Sequence, residues 1–200
     1  MSNVESLLLT KGEMTASSVQ IRLGRPSDAF LLSRLGMETF RETFAADNTP
    51  GNMAAYLAEA FSLEKQSREL ADRASRFLIV EREGQPIAYA RLRSGPAPVP
   101  VAGRHAIEIA RFYVTKPWIG KGIGAKLMRR CLREAGDASS DTIWLDVWER
   151  NLRAIAFYRK WKFTEVGSQG FQLGDELQRD LLMARPVRDP SSRRSWGTER

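Results

Sequence analysis

The amino-acid sequence predicts an α/β domain whose central sheet mixes parallel and antiparallel strands. Segments of strand character alternate with segments of helical periodicity along most of the 200-residue chain, which is typical of α/β proteins. Two strand-like runs, Phe77 to Glu83 and Pro86 to Arg93, are separated only by a short turn around Gly84 and predict an antiparallel hairpin. A chain of this length is enough for one domain with a sizeable core.

The first part of the chain predicts one strand and three helices ahead of the hairpin. Val19 to Arg22 has strand character, and the apolar period from Pro26 to Phe40 predicts a helix. After a turn at residues 47–51, apolar residues at helical spacing predict a second helix over Met53 to Phe61. A third, shorter helix is predicted over Leu63 to Ala71.

The part that follows the hairpin continues with strands and helices in turn. Residues 94–104 are rich in Pro and Gly and predict a loop. Ala106 to Thr115 then predicts a strand, and three alternate glycines lead into a helix that starts near Ala125. The remaining predicted elements are a strand over Thr142 to Trp148, a helix over Asn151 to Trp161, and strands over Phe163 to Gly167 and Leu177 to Met183.

Both ends of the chain lack this patterning, so the domain is placed at residues 19–184. Residues 1–18 predict a flexible leader, and the Arg-, Ser- and Pro-rich residues 185–200 predict a flexible tail. The leader has no secretory-signal pattern, which predicts a cytoplasmic location. No apolar stretch approaches the roughly 18 residues of a membrane-spanning helix, so no membrane partner is expected. Cys131 is the sole cysteine, and no side chains show metal-ligand spacing.

Charge is divided unevenly along the chain. The 31 Lys and Arg exceed the 24 Asp and Glu, and the formal net charge of +7 favours an anionic partner. The segment from Arg111 to Arg133 carries seven basic residues and no acidic one, whereas residues 26–72 carry eight acidic residues and four basic ones. The sequence is therefore bipolar, with a basic part suited to phosphates and an acidic part suited to a cation.

A glycine-rich turn, Gly120-Lys121-Gly122-Ile123-Gly124, stands between a strand that ends near Val114 and a helix. Glycine permits a close approach of the backbone, and the N-terminus of a helix attracts anions, so a diphosphate fits here. No Gly-Lys-Ser/Thr triplet closes a P-loop, and the preceding hairpin argues against a dinucleotide-binding βαβ unit. A purely structural turn remains an alternative.

A second motif follows the strand predicted over Thr142 to Trp148. Asn151 is suited to cap the next helix, and Tyr158 lies two turns further along the same side of that helix. Both residues also have structural explanations, as a helix cap and as a core tyrosine with a bonded hydroxyl.

Together these motifs resemble the GNAT superfamily of N-acetyltransferases, with similarity from about Val19 to Ala184. The resemblance implies the GNAT fold, in which helices flank a mixed, mostly antiparallel sheet, and it implies acetyl-CoA as co-substrate. Other segments resemble the PaiA-type spermidine/spermine N-acetyltransferases. These segments are Glu38-Thr39-Phe40, Asp47-Asn48-Thr49-Pro50, Tyr56-Leu57, Ala60-Phe61-Ser62, Ile143-Trp144-Leu145, and the run from Phe171 to Asp180.

The resemblance also implies which residues bind acetyl-CoA. The implied residues are Phe112, Tyr113 and Val114 for the pantetheine arm, Gly120, Lys121, Gly122, Ile123, Gly124 and Ala125 for the pyrophosphate, and Asn151 and Tyr158 on the following helix. Two positions depart from the family pattern. Ile119 replaces Gln or Arg at the start of the turn, which we expect to weaken phosphate binding without abolishing it. Lys162 replaces Gly before Phe163, where a left-handed conformation would cost about 1 kcal/mol.

Acyl transfer to an amine requires a base, a stabilised oxyanion and a proton for the leaving sulfur. The resemblance implies that the Tyr158 hydroxyl supplies this proton. Glu108 is the predicted base, acting directly or through water, and a structural ion pair with Arg91 or Arg111 is the alternative role for it. A main-chain amide of the strand around Tyr113 is predicted to polarise the thioester carbonyl.

The predicted acceptor is a small-molecule amine, and the resemblance favours a polyamine. Glu38 and Glu42 lie four residues apart on one helix face and are candidates to bind a distal ammonium group, although an ordinary solvated face also explains them. Another small amine, an aminoglycoside-like drug or a protein N-terminus remains open as acceptor. Assembly of the protein into a homodimer also remains open. A nucleic-acid-binding module is disfavoured, because few aromatic residues accompany the basic segment.

Overall fold

The computed structural model describes residues 19–187, which form one seven-stranded sheet with helices on both faces. The strands are β1 (Val19–Leu23), β2 (Ser75–Arg82), β3 (Gln85–Ser94), β4 (Ala106–Val114), β5 (Thr142–Trp148), β6 (Thr164–Leu173) and β7 (Glu176–Pro186). The helices are α1 (Ala29–Phe44), α2 (Pro50–Ala60), α3 (Leu63–Ala71), α4 (Ile123–Asp137) and α5 (Leu152–Lys160). The predicted leader, and the predicted tail from residue 188 onward, lie outside the described residues.

The strands follow the order β1-β2-β3-β4-β5-β7-β6 across the sheet. Among the described strands, only β4 and β5 pair in parallel, and their ladder is three residue pairs long, from Ala106 opposite Thr142 to Glu108 opposite Trp144. Ala110 is an extra residue in β4, between the residues that pair with Arg91 and Leu92 of β3. Such a bulge bends its strand. Beyond Glu108, β4 no longer pairs with β5, although it continues to pair with β3.

Alternating side chains give the sheet two faces. On one, called the α4 face, α4 and α5 cover a large core that includes Leu127 and Met128 of α4 and Leu145 of β5. On the other, called the α1 face, α1, α2 and α3 cover smaller clusters around Phe40 and Tyr89. Burial of these apolar side chains on both faces fixes the helices to the sheet.

A buried charged network holds α3 against the sheet. The Glu69 carboxylate forms an ion pair with Arg91 of β3 at 2.7 Å and accepts from Arg111 of β4 at 3.1 Å, and all three side chains are about nine-tenths buried. The guanidinium of Arg111 also donates to Gln66 Oε1 at 3.0 Å. Because breaking a buried pair leaves an uncompensated charge, this network gives α3 one strongly favoured position.

The sequence-based prediction of a mixed α/β fold is confirmed, with differences at element ends. Helix α2 begins at Pro50 rather than at Met53, because Thr49 Oγ1 caps it by accepting from the Asn52 N–H at 3.2 Å. Strand β6 runs on beyond Gly167 and forms a long hairpin with β7. The predicted domain end at residue 184 is two residues short, since Pro186 still pairs with β5. No helix within residues 19–187 is long and apolar enough to cross a membrane.

The turn after α5 has the left-handed residue that the sequence departure indicated. Lys162 has a φ of 67°. Its N–H donates to the carbonyl of Arg159 at 3.0 Å, and the Phe163 N–H donates to the carbonyl of Tyr158 at 3.1 Å. This is the Schellman pattern, in which glycine is the preferred residue at the left-handed position. The fold therefore tolerates a lysine at a strained position directly beside the Tyr158 helix.

Lys162→Gly is expected to raise the free energy of unfolding by about 0.5–1 kcal/mol. Glycine removes a left-handed penalty of about 1–2 kcal/mol and loses part of that gain to the greater freedom of the unfolded chain. Chemical denaturation measures the change. The matched control is Lys160→Gly at the end of α5, which should lower stability by about 0.5–1 kcal/mol. Equal losses in both variants would contradict the assignment of strain to Lys162.

Candidate active site

A cavity of about 480 Å³ lies where β4 and β5 separate. Residues 109–114 of β4 and residues 146–148 of β5 line its two sides. No described strand pairs with β4 on this edge beyond Glu108, so main-chain N–H and C=O groups there can bind an extended ligand. Side chains of α5 line the cavity on the α4 face, and side chains of α1 and α2 line it on the α1 face. The cavity thus joins the two sides of the sheet.

The glycine-rich turn forms one wall of the cavity at the N-terminus of α4. Gly120 and Gly122 have φ values of 81° and 80°, a region that favours glycine, and an added Cβ at either residue would meet no atom within 4 Å. No side chain caps this helix, whose first hydrogen bond runs from the Lys126 N–H to the carbonyl of Gly122 at 3.0 Å. The N–H groups of residues 123–125 therefore suit an anionic group, and the helix dipole adds to the attraction.

Most residues implied in acetyl-CoA binding surround this cavity. Those that line it are Phe112, Tyr113, Val114, Gly120, Gly122, Gly124, Ala125, Asn151 and Tyr158. Lys121 and Ile123 do not line it. Ile123 is buried in the core of the α4 face, and the Lys121 ammonium lies 5.1 Å from the ring centroid of Trp118. The replaced turn residue, Ile119, also lines the cavity.

The β4 segment is anchored by aromatic contacts on opposite faces. The Phe112 ring lies 5.6 Å from that of Phe157 on the α4 face. The Tyr113 ring lies 5.5 Å from that of Tyr89 on the α1 face. Burial there raises the pKa of the Tyr113 hydroxyl well above the ordinary value. These contacts hold the main chain of β4 rigidly along the cavity.

Asn151 and Tyr158 are positioned by α5. Asn151 caps the helix, its Oδ1 accepting from the Ala154 N–H at 3.1 Å, so its structural role is present alongside its place on the cavity wall. Tyr158 is 7% exposed and contacts the rings of Phe112 and Phe163 at 6.2 and 5.8 Å. Burial raises the pKa of the Tyr158 hydroxyl, so the phenol keeps its proton at neutral pH and can donate it.

Glu108 lines the cavity and is held by an arginine that sequence analysis did not select. Its Oε2 accepts from Nε of Arg93 at 2.7 Å and forms an ion pair with Nη2 of the same guanidinium at 2.6 Å. The predicted alternative, a pair with Arg91 or Arg111, is wrong, because both of those guanidinium groups bind Glu69 on α3. Burial raises the pKa of the Glu108 carboxyl and the charge of Arg93 opposes that rise.

Two further carboxyl groups in the cavity were missed by sequence analysis as site residues. Asp146 of β5 accepts from Gln169 Nε2 at 2.9 Å, and burial raises its pKa. Asp180 of β7 is 7% exposed, and its Oδ1 has no hydrogen-bond partner among residues 19–187. Burial and the nearby Asp146 raise the pKa of Asp180 to about 7. For Asp146 the available signal was an acidic residue inside an otherwise apolar strand, whereas the part of β7 around Asp180 is polar and gave no such signal.

Glu38 and Glu42 are exposed on α1 and do not line the cavity. Glu42 Oε2 instead accepts from the main-chain N–H of Lys116 at 2.9 Å, which ties α1 to the short turn ahead of the glycine-rich segment. The negative groups that face the cavity come from strands of the sheet, namely Glu108, Asp146 and Asp180.

The basic segment of residues 111–133 is not one free cationic surface. Arg111 is bound to Glu69, and Arg130 pairs with Glu134 at 2.6 Å. The Lys126 ammonium donates to the carbonyl of Val19 at 2.5 Å. The positive groups at the cavity therefore include the main-chain N–H groups at the α4 N-terminus and Arg153 of α5, which lines it, with Lys121 nearby beside Trp118.

Comparison with known proteins independently supports the family resemblance that the sequence motifs indicated. A family model described as the acetyltransferase (GNAT) family matches residues 37–163. An uncharacterized N-acetyltransferase of Lactobacillus delbrueckii subsp. lactis is 30% identical over 153 residues, which cover 76% of this chain and 88% of that protein.

Solved structures resemble the fold at lower identity. The PaiA N-acetyltransferase of Thermoplasma acidophilum, solved in complex with coenzyme A, has a TM-score of 0.66 at 19% identity, covering 84% of this chain and 99% of that chain. The ribosomal-protein-alanine N-acetyltransferase of Brucella melitensis has a TM-score of 0.66 at 24% identity, with the same two coverages. At these identities the likeness shows a shared fold.

Asp180→Asn is expected to make the protein less sensitive to rising pH. Folded Asp180 holds its proton up to about pH 7, whereas the unfolded carboxyl loses it near the ordinary value of 3.8. Its contribution to stability is therefore full below the unfolded pKa and is lost as pH rises through the folded pKa. Relative to wild type, the variant should gain at least about 1 kcal/mol in free energy of unfolding between pH 5 and pH 8.

Chemical denaturation at pH 5, 6, 7 and 8 measures this gain. Asp175→Asn removes an exposed carboxyl from the turn between β6 and β7 and should keep the pH dependence of the wild type. A parallel pH dependence of the Asp180→Asn variant and the wild type would show that the Asp180 carboxyl is solvated in the folded protein.

Proposed function

The chain belongs to the acetyltransferase (GNAT) family and is an N-acetyltransferase that uses acetyl-CoA, and we propose that its acceptor is a primary amine of a polyamine such as spermidine or spermine. The amine attacks acetyl-CoA directly while both substrates are bound. One observation carries this proposal: the cavity passes from an anion-binding helix N-terminus on the α4 face to three carboxyl groups on the α1 face. A phosphorylated donor and a cationic acceptor suit these two ends.

The donor side fits acetyl-CoA through main-chain groups. The uncapped N-terminus of α4 suits the pyrophosphate, and Gly120 and Gly122 leave space for its approach. The unpaired edge of β4 along residues 109–114 suits the amide groups of the pantetheine arm. Because this recognition uses N–H and C=O groups, the replacement of Gln or Arg by Ile119 removes one side-chain contact and leaves the remainder.

Acetyl-CoA supplies a thioester, whose carbonyl carbon bonds to the amine nitrogen and whose sulfur leaves. Tyr158 donates the proton that this sulfur needs, since its buried phenol stays protonated at neutral pH. A main-chain N–H of β4 near Tyr113 polarises the carbonyl oxygen. The rings of Phe112 and Phe163 fix the orientation of the Tyr158 side chain.

Glu108 takes the proton that the amine loses, directly or through water. Its carboxyl lines the cavity, and Arg93 holds it in one orientation through a hydrogen bond from Nε and an ion-pair contact from Nη2, both to Oε2. The other oxygen, Oε1, is the one left for the amine or for a bridging water. Burial raises the pKa of Glu108, which makes it a stronger base than an exposed glutamate.

A polyamine suits the acceptor side because that side combines negative charge with aromatic walls. Three carboxyl groups attract ammonium groups, and rings such as Phe40 and Tyr56, 4.6 Å apart, offer apolar surface to methylene chains. Segments of the sequence, including the run from Phe171 to Asp180, resemble PaiA-type enzymes and favour the same class. A protein N-terminus is the competing acceptor and belongs in the same assay panel.

Tyr158→Phe is expected to lower kcat by about 100-fold or more, because the leaving sulfur loses its proton donor. Thiol release from acetyl-CoA with spermidine, spermine, monoamines and an alanine-terminated peptide measures turnover. Binding of CoA, measured by calorimetry, should stay within about twofold of the wild type. The control is Tyr89→Phe. Tyr89 lies outside the cavity, and its buried hydroxyl has no hydrogen-bond partner among the described residues. Wild-type kcat in the Tyr158→Phe variant would exclude the acid role.

Glu108→Gln is expected to lower kcat/KM by about 100-fold at neutral pH and to remove the rise of the rate with pH that ionisation of Glu108 produces. Glu81→Gln is the matched control, since Glu81 is also a strand carboxylate paired to an arginine, at 2.8 Å from Arg22, and lies outside the cavity. A small, pH-independent loss in Glu108→Gln, similar to that of the control, would assign Glu108 a purely structural role.

A further inference from the structure

Asp180 is buried and Asp146 is partly buried, and the transfer reaction leaves both carboxyl groups without a role. Within residues 19–187 neither forms an ion pair, although most other buried carboxylates of the protein do, such as Glu69 and Glu134. Gln169 donates one hydrogen bond to Asp146, and Asp180 Oδ1 receives none from the described residues. Such a group costs free energy unless a ligand satisfies it.

The strand register brings the two carboxyls together on the α1 face. Trp148 of β5 lies opposite Asp180 of β7, and Asp146 lies opposite Leu182. Side chains two residues apart on a strand point the same way, so Asp146 and Asp180 are diagonal neighbours on one face. Both line the cavity, and the charge of Asp146 disfavours ionisation of Asp180. A cation placed between them would remove this repulsion.

The cavity wall beside these carboxyls is aromatic. The Phe44 ring lies 5.9 Å from that of Trp148, the residue opposite Asp180. The Tyr56 ring lies 5.4 Å from that of Phe171. An aliphatic chain can pack against such rings, which also attract ammonium groups through their faces.

We propose that Asp146 and Asp180 together bind the second, non-reacting ammonium group of a linear aliphatic diamine, whose other amino group is the one acetylated. This inference rests on the proposed function and adds to it the position that makes the enzyme select dications. The aromatic walls hold the methylene chain between the two amino groups, and the ammonium donates to Asp180 Oδ1. Asp180 and Asp146 are thus binding residues for the acceptor, separate from Glu108 and Tyr158.

The test compares two acceptors that differ by one charge, 1,4-diaminobutane and 1-aminobutane, in the full-length enzyme with acetyl-CoA. The wild type should favour the diamine in kcat/KM by at least about tenfold. Asp180→Asn should lower kcat/KM for the diamine by at least about tenfold through KM, and should reduce the preference for the diamine over the monoamine by at least about fivefold. Asp146→Asn should act in the same direction.

Glu149→Gln is the matched control. Glu149 is close enough to influence Asp180, yet it pairs with Arg179 at 3.4 Å and does not line the cavity. This variant loses the same charge and should keep the preference for the diamine. An equal loss in Glu149→Gln and Asp180→Asn would attribute the preference to the general field of the protein and would overturn the proposed site.

Other outcomes also overturn the proposal. Unchanged diamine kinetics in Asp180→Asn would do so, as would an equal fall of kcat for both acceptors, which would make Asp180 part of the reaction itself. If no amine is acetylated although CoA binds, the acceptor class of the proposed function is wrong. Calorimetric titration of 1,4-diaminobutane into the CoA complex then decides this proposal by itself: binding to the wild type that Asp180→Asn abolishes supports it, and no binding overturns it.

Discussion

The short parallel pairing of β4 with β5 is the constraint on which the site depends. The two strands pair over three residues and then separate, while each continues to pair on its other edge, β4 with β3 apart from the bulge at Ala110, and β5 with β7. The gap is therefore held open by two rigid half-sheets. Backbone groups along it have no strand partner, and polar groups of this kind need a ligand or water. The cavity between β4 and β5 is the structural consequence.

The cavity offers different chemical groups to a ligand on the two faces of the sheet. In the proposed function, main-chain N–H groups of the α4 N-terminus and the free edge of β4 bind the donor on the α4 face, so Ile119 and the exposed Lys121 remove side-chain contacts only. In the same proposal, carboxyl and aromatic side chains that line the cavity on the α1 face bind the acceptor. Donor recognition can therefore stay constant within a family while acceptor recognition varies with a few side chains.

The charge at the site depends on which ionised side chains form ion pairs, and it does not follow from the net charge of a sequence segment. The acidic part of the chain, residues 26–72, loses much of its charge to internal partners, such as Arg22 for Asp28 and Arg91 for Glu69. The basic segment is reduced in the same way by Glu69 and Glu134. Two of the carboxyl groups at the cavity, Asp146 and Asp180, have no ion-pair partner within residues 19–187, which local charge counts did not reveal.

The sequence by itself determined the order and type of the elements, because hydrophobic periodicity, turn residues and caps act over a few residues. It also placed the glycine-rich turn, Asn151 and Tyr158, whose spacing is set within one turn and one helix. Only the tertiary structure decided that Glu108 pairs with Arg93 and that Asp146 and Asp180 share the cavity. Those contacts depend on strand order and register across the sheet, which join residues far apart in the chain.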